Sequence, residues 1–582
     1  MAKGSWSPNR LRWEIAEPFE AAGTLGRSLH VHPLVAQVLH NRGLDDPVVS
    51  RQFLDPKLTD LHDPELLNGA VEAAERIARA VSEGKKIVIY GDYDVDGITG
   101  TAILHAILRM VGANVDFYVP HRIEEGYGLN VEAVDKLIAD GAELMVTIDC
   151  GISAVEPVAR AVAAGLDVIV TDHHSVGSEL PPAGAIVHPS LPGSEYPNAN
   201  LAGAGVAFKL AWQVARTICG SNRVDDKMRQ FLLDATCFAA LGTIADVVPL
   251  LGENRVLARF GLSGLSGTEH VGLRALLASA SLVGKKLDAY HVGFVLGPRL
   301  NAAGRMGHAS LAVEMLTGAS PERSGEIARY LDEQNTERRK VQDEITAQAV
   351  EMIESDRLDA PDRRGIVVGS ENWHGGVIGI VASRLVGRFG RPAIVFSLGE
   401  DSARGSARSI DGFNMYTALT ACGDHLEGFG GHAMAAGLTI DRRKLDAFTE
   451  TFVAYASSHI SAEQLTPVLK IDAVATLAGL SYDTVHNLAR MAPFGQGNAP
   501  PVVAVNRCRL LRAPRRIGQS GTTITMTLGQ ESASMRAVGF GMGDLAEMLV
   551  GVNAVDVAFE PQLNTFRGQT NVQAMLRDVR WE

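Results

Sequence analysis

From Lys85 onward, short β-rich runs, four of the five nearly fully apolar, alternate with longer stretches in which apolar residues recur every three or four positions. The runs are KKIVIYG, NVDFYVP, AELMVTIDC, LDVIVTD and AGAIVHP, and stretches such as TAILHAILRMVG and VEAVDKLIADG lie between them. Short apolar runs alternating with amphipathic helices predict an α/β fold with a parallel sheet covered by helices on both faces. A further helical stretch (AGAGVAFKLAWQVAR, FLLDATCFAALGTIADVVPL) closes this first large domain, assigned to residues 81–315.

Residues 1–80 show short helical patterns broken by Pro- and Asp-rich turns, and are expected to form an amino-terminal helical cap. The charged stretch PERSGEIARYLDEQNTERRKVQDEITAQAVEMIESD has no internal proline, and as one helix would run for about 54 Å. It is expected as a linker over 316–360, separating two domains across a groove. Residues 361–462 alternate again (GIVVG, VIGIVASRLVG, PAIVFSLG, FTETFVAYAS), giving a smaller α/β domain. Over 463–582 the β-like runs PPVVAVNRCRLLR, TTITMTL, SMRAVGFG and VDVAFEPQ, separated by Gly and Asn turns, favour a small barrel or sandwich.

Composition narrows this picture. The 582 residues are 46% hydrophobic and 21% charged, which fits several globular cores and excludes a disordered or fibrous chain. No apolar run reaches the length of a membrane span and the amino terminus has no apolar signal core, so a cytoplasmic location is expected. The cysteines (Cys150, Cys219, Cys237, Cys422, Cys508) never form a CxxC pair, which argues against a disulfide framework or a thiolate zinc site. A net charge of −13 repels a phosphate backbone at long range, so any nucleic-acid site must be local.

The strongest chemical signal is GDYDVDG, which places Asp92, Asp94 and Asp96 just after the run IVIY. In extended chain Asp94 and Asp96 share a face and aim beyond the carboxyl end of a strand, where open α/β sheets bind ligands. A polar turn is the plain alternative. An EF-hand loop is excluded because the twelfth position from Asp92 is Ile103, not Glu. MVTIDCG ends in Asp149 and VIVTDHHS ends in Asp172, His173 and His174. Asp246 stands in the apolar segment ALGTIADVVPL, where an unpaired carboxylate is expensive; it reads as a metal ligand or a helix N-cap. Carboxylates with one or two imidazoles and no thiolate suit Mn²⁺ or Mg²⁺, and two such ions about 4 Å apart would support phosphoester hydrolysis.

Together Asp94-x-Asp96, Asp149, Asp172-His173-His174 and Asp246 resemble the four motifs of the DHH phosphoesterases. The resemblance implies Asp94, Asp96, Asp149, His173 and Asp246 as metal ligands, with Asp149 bridging and catalytic together with Asp94 and Asp96. It gives His174 contact with the scissile phosphate or a part in proton transfer. Tyr90 stands where the related family II pyrophosphatases carry a histidine. The strings PHRIEEGYGL, LAGAGVAFKL, RLNAAGRMG, NWHGGVIGIVASRL, GSARSIDGFN, FGGHAMAAGL and PFGQGN resemble, within that family, the RecJ-type exonucleases. On that basis residues 81–315, 361–462 and 463–582 are DHH, DHHA1 and OB-like domains, with the linker between the first two.

By the same resemblance Arg122, Arg305, Ser406 and Arg408 would hold a 5′ phosphate and His432 of GGH a substrate phosphate. Arg507, Arg509, Arg512, Arg515 and Arg516 form a basic stripe suited to a single strand or to solvent, and Phe566 either stacks a base or lies in a core. His188-Pro189 replaces an expected Asn-Pro. The implied activity is metal-dependent 5′→3′ hydrolysis of single-stranded DNA in recombination and repair, by a monomer whose partners include a helicase and a single-strand-binding protein. A DHH enzyme of smaller substrates, such as an oligoribonuclease or cyclic dinucleotide phosphodiesterase, would end after DHHA1. A non-catalytic DHH scaffold would lack metal ligands, and none of the five is missing here.

Overall fold

The computed structural model describes residues 11–581 apart from 122–124, 127 and 307–308. Two compact units emerge: Arg51–Glu337 with Met491–Pro500, and the remainder, made of the stretch up to Ser50, Arg338–Arg490 and the chain from Pro501 onward.

In the first unit the five apolar runs are the strands Lys86–Gly91, Asn114–Tyr118, Leu144–Ile148, Asp167–Thr171 and Ala185–Val187. All neighbours pair in parallel, in the spatial order second, first, third, fourth, fifth. Successive side chains of a strand point to opposite faces. Ile87 and Ile89 therefore enter one core, with helices Val95–Met110, Gly203–Cys219 and Asp226–Ala245, while Val88 and Tyr90 enter the other, with Val131–Ala139 and Val155–Ala163. Both faces are dry along Lys86–Gly91, Leu144–Ile148 and Asp167–Thr171, which is why those runs are apolar rather than alternating, whereas the edge strand Asn114–Tyr118 alternates, with Asn114 and Asp116 exposed. A sheet of this order has its crevice between the carboxyl ends of its first and third strands. Those ends carry GDYDVDG and Asp149.

Helix Gly203–Cys219 is anchored by a buried charge network. Lys209 and Glu253, both fully buried, form an ion pair; Tyr196 donates its hydroxyl to Glu253 Oε2 at 2.6 Å and the His62 N–H donates to Oε1 at 2.8 Å. Lys209 Nζ also donates to the His62 carbonyl at 2.5 Å and lies 5.1 Å from the Trp212 ring centroid. Every polar atom that faces Glu253 is thus a donor, which is what a buried carboxylate requires.

The second unit holds a mixed sheet in the spatial order Leu426–Gly431, Ala435–Asp441, Ser402–Arg408, Ala393–Leu398, Ile366–Ser370, in which only the last two strands pair in parallel. Its tail is a closed barrel. Val503–Ile517 pairs with both Thr523–Gln530 and Ala554–Phe566, and the circuit closes through Ala533–Phe540 and Gln569–Arg580, which run parallel to each other. That is the connectivity of an OB-type barrel.

Residues 11–80 do not act as one helical cap. Arg12–Ile15 is a strand paired in parallel with Val468–Ile471, and helices Ala22–Leu29 and Pro33–His40 belong to the second unit, whereas Ala70–Ser82 packs in the core of the first. Trp13 donates its indole N–H to Asp578 Oδ2 at 2.6 Å under the Arg580 guanidinium, which lies 4.3 Å from the ring centroid. Helical periodicity carries no information about which core a helix joins, and RWEI is too short to read as a strand. Helix Pro321–Ser355 is continuous for 35 residues. Among the described residues no helix is long and apolar enough to cross a membrane.

Candidate metal centre

The strand Lys86–Gly91 delivers Asp92 and Asp94, but Asp94 and Asp96 do not share an extended segment. Asp94 is the N-cap of helix Val95–Met110: its backbone is extended (φ −92°, ψ −179°) and its side chain accepts from the N–H groups of Asp96 and Gly97. Asp96 lies in the first helical turn, where a carboxylate is favoured by the exposed N–H groups and the dipole. It is buried, and both its oxygens are held by the amino end of another helix, from Gly203 N–H at 2.5 Å and Ala204 N–H at 2.9 Å. The string LAGAGVAFKL, quoted above without a role, is this cradle.

Asp149 follows the strand Leu144–Ile148 with φ +63°, a left-handed conformation that is rare outside glycine and gathers at functional sites. Asp246 is the C-cap of helix Asp226–Ala245. A carboxylate there faces the negative end of the helix dipole, the opposite of an N-cap. Nothing in helix stability favours it, and a bound cation would supply the compensation. The next residue, Val247, is itself at φ +62° and exposed, a strained arrangement for a β-branched side chain.

These groups converge. His173 Nε2 lies 3.1 Å from Asp149 Oδ1, 3.6 Å from Asp246 Oδ2 and 3.7 Å from Asp96 Oδ2. Three sets of ligand atoms lie close enough to share an ion: Asp149, His173 and His174; Asp96, His173 and Asp246; Asp92, Asp94 and Asp149. Asp149 and His173 each join two of them. Buried Asp149 Oδ1 and His173 Nε2 make no hydrogen bond. Buried atoms of this kind, without a hydrogen bond and facing each other among further carboxylates, are a donor set suited to a divalent metal pair.

Electrostatics give the same reading. Burial and the neighbouring Asp96 and Asp94 push Asp246 up to about 9. Burial and Asp94 push Asp96 up to about 7 against the two helix N–H groups, and burial with Asp96 raises Asp149. Burial and the adjacent His174 lower His173 to about 4, leaving a neutral imidazole suited to ligation. Burial opposes charge on His174 too, but its Nδ1 lies 2.7 Å from Asp172 Oδ1 and that bond raises it to about 9. Asp172, buried, is held at about 2 by the same bond and by the N–H groups of Ile152 and His174. Adjacent histidines therefore carry opposite protonation, set by whether a carboxylate is hydrogen-bonded to the ring.

Sequence reasoning missed Asp92 as a possible ligand and Asp172 as the group that orients His174. It also missed Asn301 of RLNAAGRMG, whose Oδ1 accepts the Val95 N–H at 3.1 Å and so braces the start of helix Val95–Met110. Tyr90 stays out of the cluster: its side chain lies in the core and donates to the Gly128 carbonyl at 2.9 Å.

Of the expected substrate residues, Arg122 lies outside the described residues. Arg305 is half-buried on helix Gly297–Met306, the helix that carries Asn301. Ser406 and Arg408 lie in the second unit on the strand Ser402–Arg408, with Arg408 Nη1 3.0 Å from Ser406 Oγ. That strand pairs with Ala435–Asp441, and exposed His432 lies in the turn before it, its N–H bonded to the Ala435 carbonyl. Ser406, Arg408 and His432 thus gather at one sheet of the second unit. On the barrel strand Val503–Ile517, Arg507, Arg509, Arg512, Arg515 and Arg516 are all exposed. Arg516 is neutralised by Asp544 at 3.0 Å and Glu547 at 2.9 Å, so the stripe is weaker than its residue count suggests. Phe566 is 69% exposed at a hairpin end, with Arg567 over its ring, which removes the core alternative.

Three family models match successive stretches of the chain: the DHH family N-terminal domain over residues 86–240, the DHHA1 domain over 362–458 and the RecJ OB domain over 471–578. The single-stranded-DNA-specific exonuclease RecJ of Bacillus subtilis is 40% identical over 574 residues, covering 98% of this chain and 71% of that one. RecJ of Salmonella typhimurium is 34% identical over 579 residues, with coverage of 96% and 98%. Among solved structures, RecJ from Thermus thermophilus in complex with Mn²⁺ matches with a TM-score of 0.83 at 30% identity, covering 98% of this chain and 80% of that one. The Mg²⁺ complex of the same protein matches at 0.77 and 29% identity, with coverage of 98% and 79%. With likeness of this depth running through all three domains, the chain belongs to the RecJ family.

Proposed function

We propose that the protein is a metal-dependent phosphodiesterase that removes nucleotides from the 5′ end of single-stranded DNA. The observation that carries this reading is the convergence of Asp94, Asp96, Asp149, His173 and Asp246 at the sheet's switch point, with Asp149 Oδ1 and His173 Nε2 buried and unsatisfied. These five residues would hold two ions of the Mn²⁺ or Mg²⁺ class, the ions found in the Thermus thermophilus complexes, with Asp149 bridging. When bound, the ions neutralise the carboxylates and polarise the scissile phosphoryl group.

The protein's own groups do the remaining work. The helix N–H groups of Gly203 and Ala204 fix Asp96, and the Asp172 carboxylate fixes the His174 ring through Nδ1. With Nδ1 so committed, Nε2 is the nitrogen that hands a proton to the leaving oxygen. A histidine held protonated near neutral pH fits that general-acid role. Arg305, with Arg122, Ser406, Arg408 and His432, would grip phosphate oxygens, guanidinium forks being matched to that shape. The exposed arginines of the barrel strand and Phe566 supply a charged and stacking path for a strand. A DHH enzyme confined to dinucleotides would have no use for such a barrel. A cytoplasmic location, a monomeric working form, a role in recombination and repair, and a helicase and single-strand-binding protein as partners complete the proposal and rest on family resemblance.

The test is incubation of 5′-labelled single-stranded DNA, duplex DNA and RNA with Mn²⁺ or Mg²⁺. Short labelled products from single-stranded DNA alone are expected, and chelation by EDTA should stop their formation. Cleavage confined to dinucleotides, or undiminished after chelation, would reject the reading.

A second expectation concerns Gly242, on the helix ending at Asp246. A Cβ there would lie 2.4 Å from Asp96 Oδ1 and 2.6 Å from the Ala204 Cβ, so Gly242→Ala must displace the ligand or its cradle. A displacement of this kind lowers turnover by about 100-fold. Steady-state rates with saturating Mn²⁺ check it, and an unchanged rate in the folded variant would show the cradle to be dispensable.

A further inference from the structure

Strand Ala185–Val187 pairs in parallel with Asp167–Thr171, matching Val187 with Thr171, so the turn His188-Pro189 emerges beside the turn Asp172-His173-His174. The Asp172 N–H donates to the Val187 carbonyl at 3.2 Å, which locks the two strand ends together. His188 then reaches across. Its Nε2 lies 2.9 Å from the His174 carbonyl oxygen, and its Nδ1 lies 3.1 Å from the Ser190 N–H. A carbonyl can only accept and an N–H can only donate, so the ring is the neutral tautomer with its proton on Nε2. The residue is fully buried, so both ring nitrogens are satisfied by protein rather than by solvent.

We infer that His188 is a positioning residue for the reaction: its Nε2–H fixes the His174 carbonyl and thereby the turn that aims the two neighbouring imidazoles. The need is plain from the turn itself. Asp172 Oδ1 takes the N–H groups of His173 and His174 at 2.7 and 3.1 Å and the His174 ring at 2.7 Å, so one side of the turn is tied to a carboxylate. The carbonyl of His174 is secured separately, by His188. Two independent restraints leave His174 with one orientation, whereas Asp172 alone would let the peptide rock about the ring. Groups that orient a working side chain in this way are typically worth about 10–100-fold in activity.

This inference rests on the proposed hydrolysis, and the test separates the two by using a simple phosphodiester whose alkoxide leaving group needs a proton, dithymidine monophosphate, beside the DNA oligomer. His188→Gln keeps an N–H donor at the reach of Nε2, and His188→Met keeps the length but removes the donor. The full-length Met variant is expected to lose about 10–100-fold in kcat with KM and Mn²⁺ affinity, the latter read by titration calorimetry, within about threefold of the parent. The Gln variant is expected to stay within about threefold in kcat. Equal loss in both, or no loss in the Met variant, would overturn the inference. So would failure of His188→Met and His188→Leu to fold while the Gln variant is native, because the donor would then serve the fold alone. Inactivity of the parent on DNA with this split preserved on the simple diester would count against the substrate reading only.

Discussion

Asp149→Asn is expected to lower phosphodiester cleavage at least about 10⁴-fold, equivalent to about 5 kcal/mol of barrier, while leaving affinity for single-stranded DNA within a fewfold. Asp149 joins two of the three groups of ligand atoms, so its loss removes a ligand from both halves of the centre. The same change should stabilise the metal-free protein. The buried carboxylate is raised by burial and by Asp96, Asp94, Asp92 and Asp246, and its backbone lies at φ +63°. Asparagine carries no charge and tolerates that backbone better than most residues. A higher unfolding midpoint without metal, and a much smaller rise in midpoint on adding Mn²⁺ than the parent shows, are therefore expected. Thermal melts with and without Mn²⁺ measure both. An Asp149→Asn protein that melts lower than the parent without metal would mean that the carboxylate has a stabilising partner.

Lys209→Met should be the most damaging single change away from the centre. It leaves buried Glu253 without its cation and with only the Tyr196 hydroxyl and the His62 N–H to compensate, and breaking one side of a buried pair costs about 3–5 kcal/mol. Lys209→Met combined with Glu253→Gln should recover a substantial part of that loss. The amide keeps an acceptor, and the uncompensated charge is gone. Urea unfolding followed through the first unit checks it, with midpoints compared only within the transition of that unit because two units need not melt together. A single variant within about 1 kcal/mol of the parent would mean that water or a side-chain shift already compensates Glu253. Because Lys209 sits on the helix whose first N–H groups hold Asp96, the single variant should also turn over more slowly at temperatures where it remains folded.

The parallel sheet was legible because dry strands leave one kind of mark, and the five runs, the alternating edge run NVDFY included, became the strands expected of them. The mixed sheet of the second unit was less so. Its strands Ser402–Arg408 and Leu426–Gly431 read SARGSAR and LEGFGG, with low strand propensity and partly exposed faces, and they stood out in sequence only as motifs. The last barrel strand, Gln569–Arg580, was likewise hidden by polar residues among its buried ones. At the acidic and imidazole cluster, which residues come together was readable and their local geometry was not. Asp94 and Asp96 were expected side by side on extended chain, but helix initiation won at Asp94 and sent Asp96 into a neighbouring helix's amino end. Asp246 was readable as an expensive buried acid, and its place at the wrong end of a helix dipole emerged only in three dimensions. Asp172 and His188 were invisible as supports because nothing in sequence spacing reports which side chain faces a carbonyl.

The strand Arg12–Ile15 has a consequence for how the protein is made. Its tryptophan closes on Asp578, 565 residues away. At ribosomal rates of about 5–20 residues per second, roughly half a minute to two minutes separates the emergence of the two ends of that contact. Through that interval the nascent amino-terminal segment has no barrel to lie on and must be kept from wrong partners, by its own brevity or by a chaperone. Maturation of this protein is therefore gated by a strand translated long after the tryptophan that waits for it.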